Sequence, residues 1–159
     1  RSGEVVAMAW RDVDLNAKEW RQPTSKTGAS HTVYLSDAAL RILQRRRQEV
    51  ASDWVFPRPF DSKSHINQST VVYQLSETDR AGLARWTTHD LRRSAATGMA
   101  RLGVSRPVID RVLNHTAGGT TAIYDRHSYD NEARKAWNEW ADHLAALQIA
   151  NVLPIQAKA

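Results

Sequence analysis

The 159-residue sequence contains no cysteine. That removes disulfides, thiolate zinc sites and a cysteine nucleophile at once, and it fits a reducing compartment. Long hydrophobic runs are missing too. The longest, Val5 to Trp10, falls far short of the roughly 20 apolar residues a membrane helix needs. No signal-peptide pattern opens the chain, and there is neither an internal repeat nor a low-complexity stretch. Position 1 is Arg rather than Met, which we read as the start of a fragment of a longer protein. What is present suits one folded domain: 42% apolar residues and six tryptophans supply a core. A formal net charge of +5 favours a polyanionic partner.

The pattern along the chain predicts an α+β fold that is mainly α-helical. Trp10 to Leu15, Glu19 to Gln22 and His31 to Leu35 read as three strands of a small antiparallel sheet. Asn16-Ala17-Lys18 and the turn-forming Pro23 to Gly28 separate them. Ser36 is placed to cap a helix running to about Val50, with Leu40, Leu43 and Val50 on one stripe. Its Arg45-Arg46-Arg47 run reads as a solvated face. Asp53 to Asn67 reads as a loop, followed by a helix from about Gln68 to Ser76. A further helix carries His89, Leu91, Ala95, Met99 and Leu102 and stops at Gly103. Ser105 and Pro107 open the next one. Gly118-Gly119 marks a loosely specified joint, expected to be mobile from about Thr116 to Asp125. Asp130 to Leu147 closes as a long amphipathic helix striped by Ala133, Trp137, Trp140, Leu144 and Leu147.

Several segments carry chemistry. His89 and Arg92 lie three residues apart on one helical turn, so both face the same way. A guanidinium clamps two phosphate oxygens while an imidazole handles a proton or a third contact. Arg1 opens Arg-x-Gly-Glu, followed by Met8-Ala9-Trp10-Arg11-Asp12-Val13-Asp14. Lys26 sits in the turn Ser25-Lys26-Thr27-Gly28. His115 ends Val112-Leu113-Asn114-His115, and Tyr124 follows nine residues later in Ala122-Ile123-Tyr124-Asp125-Arg126-His127. Each residue alone has a plain reading: a terminal arginine, a solvated loop lysine, a satisfied histidine. Tyr129 competes with Tyr124, whereas Tyr34 and Tyr73 read as strand and core tyrosines.

Taken in order, these segments resemble the catalytic half of the phage integrase family of tyrosine recombinases. The resemblance covers essentially the whole chain. Met8 stands where leucine is usual, and Asn114 where most relatives have glycine; asparagine also tolerates a left-handed backbone. The resemblance implies the tyrosine-recombinase catalytic fold, with residues 1–159 forming a single C-terminal catalytic domain. The domain's first segment and an N-terminal DNA-binding domain would be missing. It further implies metal- and ATP-independent cutting and rejoining of double-stranded DNA, with no cofactor. Arg1 and Arg92 would clamp the phosphate, Lys26 would protonate the leaving 5′-oxygen, and His89 would take the tyrosine proton or hold the phosphate. His115 would contact the phosphate, and Tyr124 would be the nucleophile. Glu4 is expected to be a structural partner. The full-length protein would act as a tetramer on paired DNA sites in a bacterial cytoplasm, passing a C-terminal element between protomers. Two alternatives use the same boxes: a type IB topoisomerase, and a DNA-binding fragment without catalysis. A metal-dependent phosphohydrolase built on His89, Asp90, His115 and Asp125 is a third reading, disfavoured by the surrounding arginines.

Overall fold

The computed structural model describes residues 1–23, 30–78, 86–115 and 127–150. Lys26, Gly118-Gly119, Tyr124 and Asp125 lie outside those residues, as does the expected mobile joint. The described chain begins with a short helix α1 (Ser2–Val6) and one 3₁₀ turn (Trp10–Asp12). Strands β1 (Val13–Asp14), β2 (Glu19–Gln22) and β3 (His31–Tyr34) form an antiparallel meander in the order β1-β2-β3. The expected first strand is therefore shorter than its sequence suggests. Trp10 is drawn into the 3₁₀ turn, where its amide donates to the Asp53 carbonyl at 2.9 Å and its ring is buried.

The turn after β1 is built by Asp14, whose carboxylate accepts from the amides of Asn16 (3.0 Å) and Ala17 (2.9 Å). Lys18 completes it at φ 55°. Register pairs Glu19 with Tyr34 and Gln22 with His31, so the last pair closes the base of the Lys26-bearing segment. Helix α2 (Asp37–Glu49) starts where Ser36 Oγ accepts from the Ala39 amide at 3.3 Å. Of the three successive arginines, Arg45 and Arg47 are exposed, as the solvated reading expects, and Arg46 is half-buried. The Arg46 guanidinium donates to the Val55 carbonyl and covers Phe56, and that of Arg47 lies 4.9 Å from the centre of the Trp10 ring. Their stems and charges roof aromatic surface, which a sequence pattern does not reveal.

The expected loop from Asp53 to Asn67 contains a hairpin, β4 (Pro57–Arg58) and β5 (Asp61–His65). Its strands lack apolar alternation, so nothing in the sequence announced them. Side chains gripping backbone hold the ribbon instead. Ser52 Oγ donates to the Ser62 carbonyl (2.7 Å), and Trp54 Nε1 donates to that of Lys63 (3.0 Å). Helix α3 (Gln68–Thr78) follows; Tyr73 is exposed there rather than in the core.

Helices α4 (Thr88–Arg101), α5 (Arg106–Val112) and α6 (Asp130–Ala150) complete the described fold. Gly103 at φ 87° ends α4, and a proline sits in the first turn of α5. Two buried clusters result. One gathers Met99, Val108, Ile109, Val112, Ala133 and Ala136 from the three helices together with Tyr34. The other gathers Met8, Trp10, Trp20, Leu35, Leu43 and Val55 around the sheet and α2. Tyr34 and Leu35 point into opposite clusters, as successive residues of an extended chain must. Leu91, in the first turn of α4, and Leu102, just past its end, are exposed.

Candidate active site

Four of the six sequence-selected residues are described: Arg1, His89, Arg92 and His115. Arg1 stands at the start of α1, its guanidinium donating to Glu4 Oε1 at 2.9 Å, which gives Glu4 the structural role expected of it. Ser2 Oγ lies 3.3 Å from Thr88 Oγ1 and accepts from Gln68 Nε2 at 2.8 Å. The start of α1 is thus pinned against the start of α4. At that end of α4, the Asp90 carboxylate accepts from the Thr87 amide (2.9 Å) and hydroxyl (2.8 Å), satisfying groups that a helix start leaves open. Asp90 thus caps the helix. Among the described residues, no group of three or more His, Cys, Asp or Glu is disposed to hold a metal ion.

His89 is exposed in the first turn of α4, with Arg92 one turn further along. Arg92 is half-buried and donates to the Leu113 carbonyl at the end of α5. Burial, and then the positive charge of Arg1, push the Arg92 guanidinium below its ordinary value, with Glu4 opposing. Glu4 already neutralises Arg1 in part, whereas Arg92 donates to a neutral carbonyl, so an anion bound at Arg92 would offset its charge.

His115 follows the end of α5. Asn114, just before it, adopts φ 50°, the left-handed backbone expected of that position. His115 Nδ1 lies 3.2 Å from Asp110 Oδ1, and its amide donates to the Asp110 carbonyl at 2.9 Å. A carboxylate can only accept, so Nδ1 carries the hydrogen and Nε2 is left for the open side of the ring. Burial alone would raise the Asp110 carboxyl. Hydrogen bonds from Arg106 and His115 outweigh it and hold the group below the usual carboxylate range. Sequence reasoning missed Asp110. Its signal was the Arg106–Asp110 spacing of one helical turn, five residues ahead of His115.

A second feature that sequence reasoning missed lies behind this surface. His31 is buried on β3, and Arg111 Nη1 approaches its Nδ1 at 3.3 Å. Arg111 has no acceptor, so Nδ1 must accept and the ring is neutral with its hydrogen on Nε2. Tyr129, the competitor for nucleophile, adopts φ 56° immediately before α6 and packs on the helical cluster.

Comparison with known proteins agrees with this architecture. A profile described as "Phage integrase family" matches residues 1–131. Over 157 residues the chain is 29% identical to prophage integrase IntA of Escherichia coli (strain K12), spanning 96% of this chain and 38% of that protein. It is 31% identical over 135 residues to a tyrosine recombinase of Thermosipho africanus (strain TCF52B), spanning 83% of this chain and 46% of that protein. Solved structures share the fold. The integrase from mycobacterium phage Brujita superposes with a TM-score of 0.68 at 19% identity, covering 88% of this chain and 46% of that one. XerA recombinase gives 0.64 at 22% identity, covering 90% and 53%. The chain belongs to the phage integrase family. It spans less than half the length of these two curated relatives.

Proposed function

We propose that this chain is the C-terminal catalytic domain of a site-specific DNA recombinase that cuts and rejoins double-stranded DNA. The observation that carries the reading is the tie between Arg92 and the segment ending in His115. Arg92, one turn from His89 on α4, donates to the Leu113 carbonyl two residues before His115, so a guanidinium is anchored beside the segment that carries an imidazole. Such a pair suits a phosphodiester whose non-bridging oxygens gain charge as a nucleophile attacks. In the proposed reaction the Tyr124 hydroxyl oxygen attacks phosphorus and the bond to the 5′-oxygen breaks. His89 accepts the tyrosine proton or holds the phosphate, Lys26 protonates the leaving 5′-oxygen, and His115 holds the phosphate. The resulting 3′-phosphotyrosine ester keeps the bond energy, so a 5′-hydroxyl from another strand can reseal it without ATP. Positive side chains stand where a magnesium ion acts in other phosphoryl transfers. Four protomers on paired sites would carry out the exchange in the full-length protein.

The test is covalent trapping of the full-length parent on a nicked suicide duplex in EDTA. Wild type should form a 3′ adduct and Tyr124→Phe none, with its fold intact because only a hydroxyl is lost. Persistence of the adduct in Tyr124→Phe, with loss in Tyr129→Phe, would move the nucleophile. Strict dependence on divalent metal would overturn the mechanism, and relaxation of supercoils without strand exchange would favour the topoisomerase.

A further inference from the structure

Outside the proposed catalytic set, a polar cluster joins α5, β3 and α6. Its centre is the Arg111 guanidinium on α5. Nη1 meets His31 Nδ1 at 3.3 Å, while Nε and Nη2 donate to Asp130 Oδ1 at 3.1 and 2.8 Å. The Tyr34 hydroxyl shares the same carboxylate. His31 and Tyr34 are buried in β3, and Asp130 is the first residue of α6. One rigid fork therefore fixes the start of β3 and the start of α6 to a single point on α5.

Each tied element has a consequence for the site. Helix α5 ends at the Leu113 carbonyl that holds Arg92 and at His115. His31 lies five residues after Lys26, and Asp130 lies six after Tyr124. Fixing His31 and Asp130 therefore fixes the described chain that follows each of those two segments. The cluster is also expensive to build. A buried imidazole facing a guanidinium is not needed for packing that an apolar pair would provide.

We infer that Arg111 is a positioning residue, which by gripping His31 and Asp130 sets the bases of the Lys26 and Tyr124 segments relative to Arg92 and His115. This rests on the recombinase reading above. It requires Arg111 to act on the rate of strand cleavage rather than on DNA binding, because its guanidinium is spent on protein partners.

The experiment compares full-length wild type, Arg111→Met, Arg111→Lys and Asp130→Asn. Single-turnover adduct formation on the nicked duplex is read beside duplex affinity and the circular dichroism spectrum. Arg111→Met should bind the duplex within about threefold of wild type but form adduct about 10- to 100-fold more slowly, the scale expected for slight misplacement of reacting groups. Arg111→Lys, which can reach one partner but not fork between two, should recover part of the rate. Asp130→Asn leaves the arginine in place and should show the same split between cleavage and binding, more mildly. Wild-type cleavage rates in Arg111→Met and Asp130→Asn would overturn the inference. So would a rate loss matched by equal loss of DNA binding or of folded signal in both variants. Absence of any adduct with wild type would instead sink the recombinase reading itself.

Discussion

A buried imidazole beside a guanidinium resists protonation, and His31 is such a group. Burial first, then the charges of Arg111 and Arg92, hold its pKa down from 6.5 to about 4, with Glu4 opposing. In the unfolded chain the ring is free to protonate near its ordinary value. Between about 6.5 and 4 the unfolded state therefore binds more protons, and stability falls as pH is lowered through that window. The loss saturates below the folded value, at about 3 kcal/mol for a shift of this size. His31→Gln keeps an acceptor for Arg111 but cannot titrate. Urea unfolding of both proteins from pH 7.5 to 4 should show wild type losing stability relative to the variant across the window. Parallel curves would mean that His31 titrates alike in the folded and unfolded states.

At the scale of elements, the seam between α4 and α6 depends on a missing side chain. Gly98 lies on α4 opposite Trp140, and a Cβ placed there would come within 2.1 Å of the indole Cζ3. Helix propensity alone favours Gly98→Ala by about 1 kcal/mol. Overpacking a seated aromatic costs about 1–3 kcal/mol, so the substitution should be destabilising on balance. The cost should disappear in Gly98→Ala/Trp140→Phe, where the smaller ring makes room, and a double-mutant cycle measures that coupling. Additive effects would show that the two residues do not meet in solution. Nothing in the sequence singles out this glycine, because close approach between helices leaves no mark in either helix alone.

For the whole molecule, the apolar stripe of α6 divides into two parts. Ala133 and Ala136 are 1% and 2% exposed, and Trp137 and Trp140 pack on the helical cluster. Leu144, Leu147 and Ile149 are exposed. The first part is core, and the second is apolar surface suited to the protomer exchange proposed for the tetramer. Deleting residues from Asp142 onward should therefore change thermal stability little, since those side chains bury little here. In the full-length recombinase it should weaken cooperative synapsis of paired sites more than binding to one site. Gel-shift titrations on single-site and two-site DNA separate the two effects. Equal losses in both would show that the segment serves the fold alone.

Local chemistry was legible in the sequence because it is written in short-range patterns. The strand Glu19–Gln22, the Ser36 cap, the Gly103 stop, the left-handed Asn114 and the start of α6 at Asp130 all depend on neighbouring residues. The His89 and Arg92 pair was legible for the same reason, since one helical turn fixes its spacing. Only the tertiary structure decided which charges meet. Arg92 on the Leu113 carbonyl, Arg111 between His31 and Asp130, and Arg47 over Trp10 each join segments remote in sequence. The hairpin from Pro57 to His65 belongs with them, because its polar strands are held by Ser52 and Trp54 rather than by a periodic apolar face. An arginine's sequence neighbours set its helix position and exposure. Which carboxylate, imidazole or ring its guanidinium reaches is settled by how the elements pack, and that packing also tunes the charge offered to an anion.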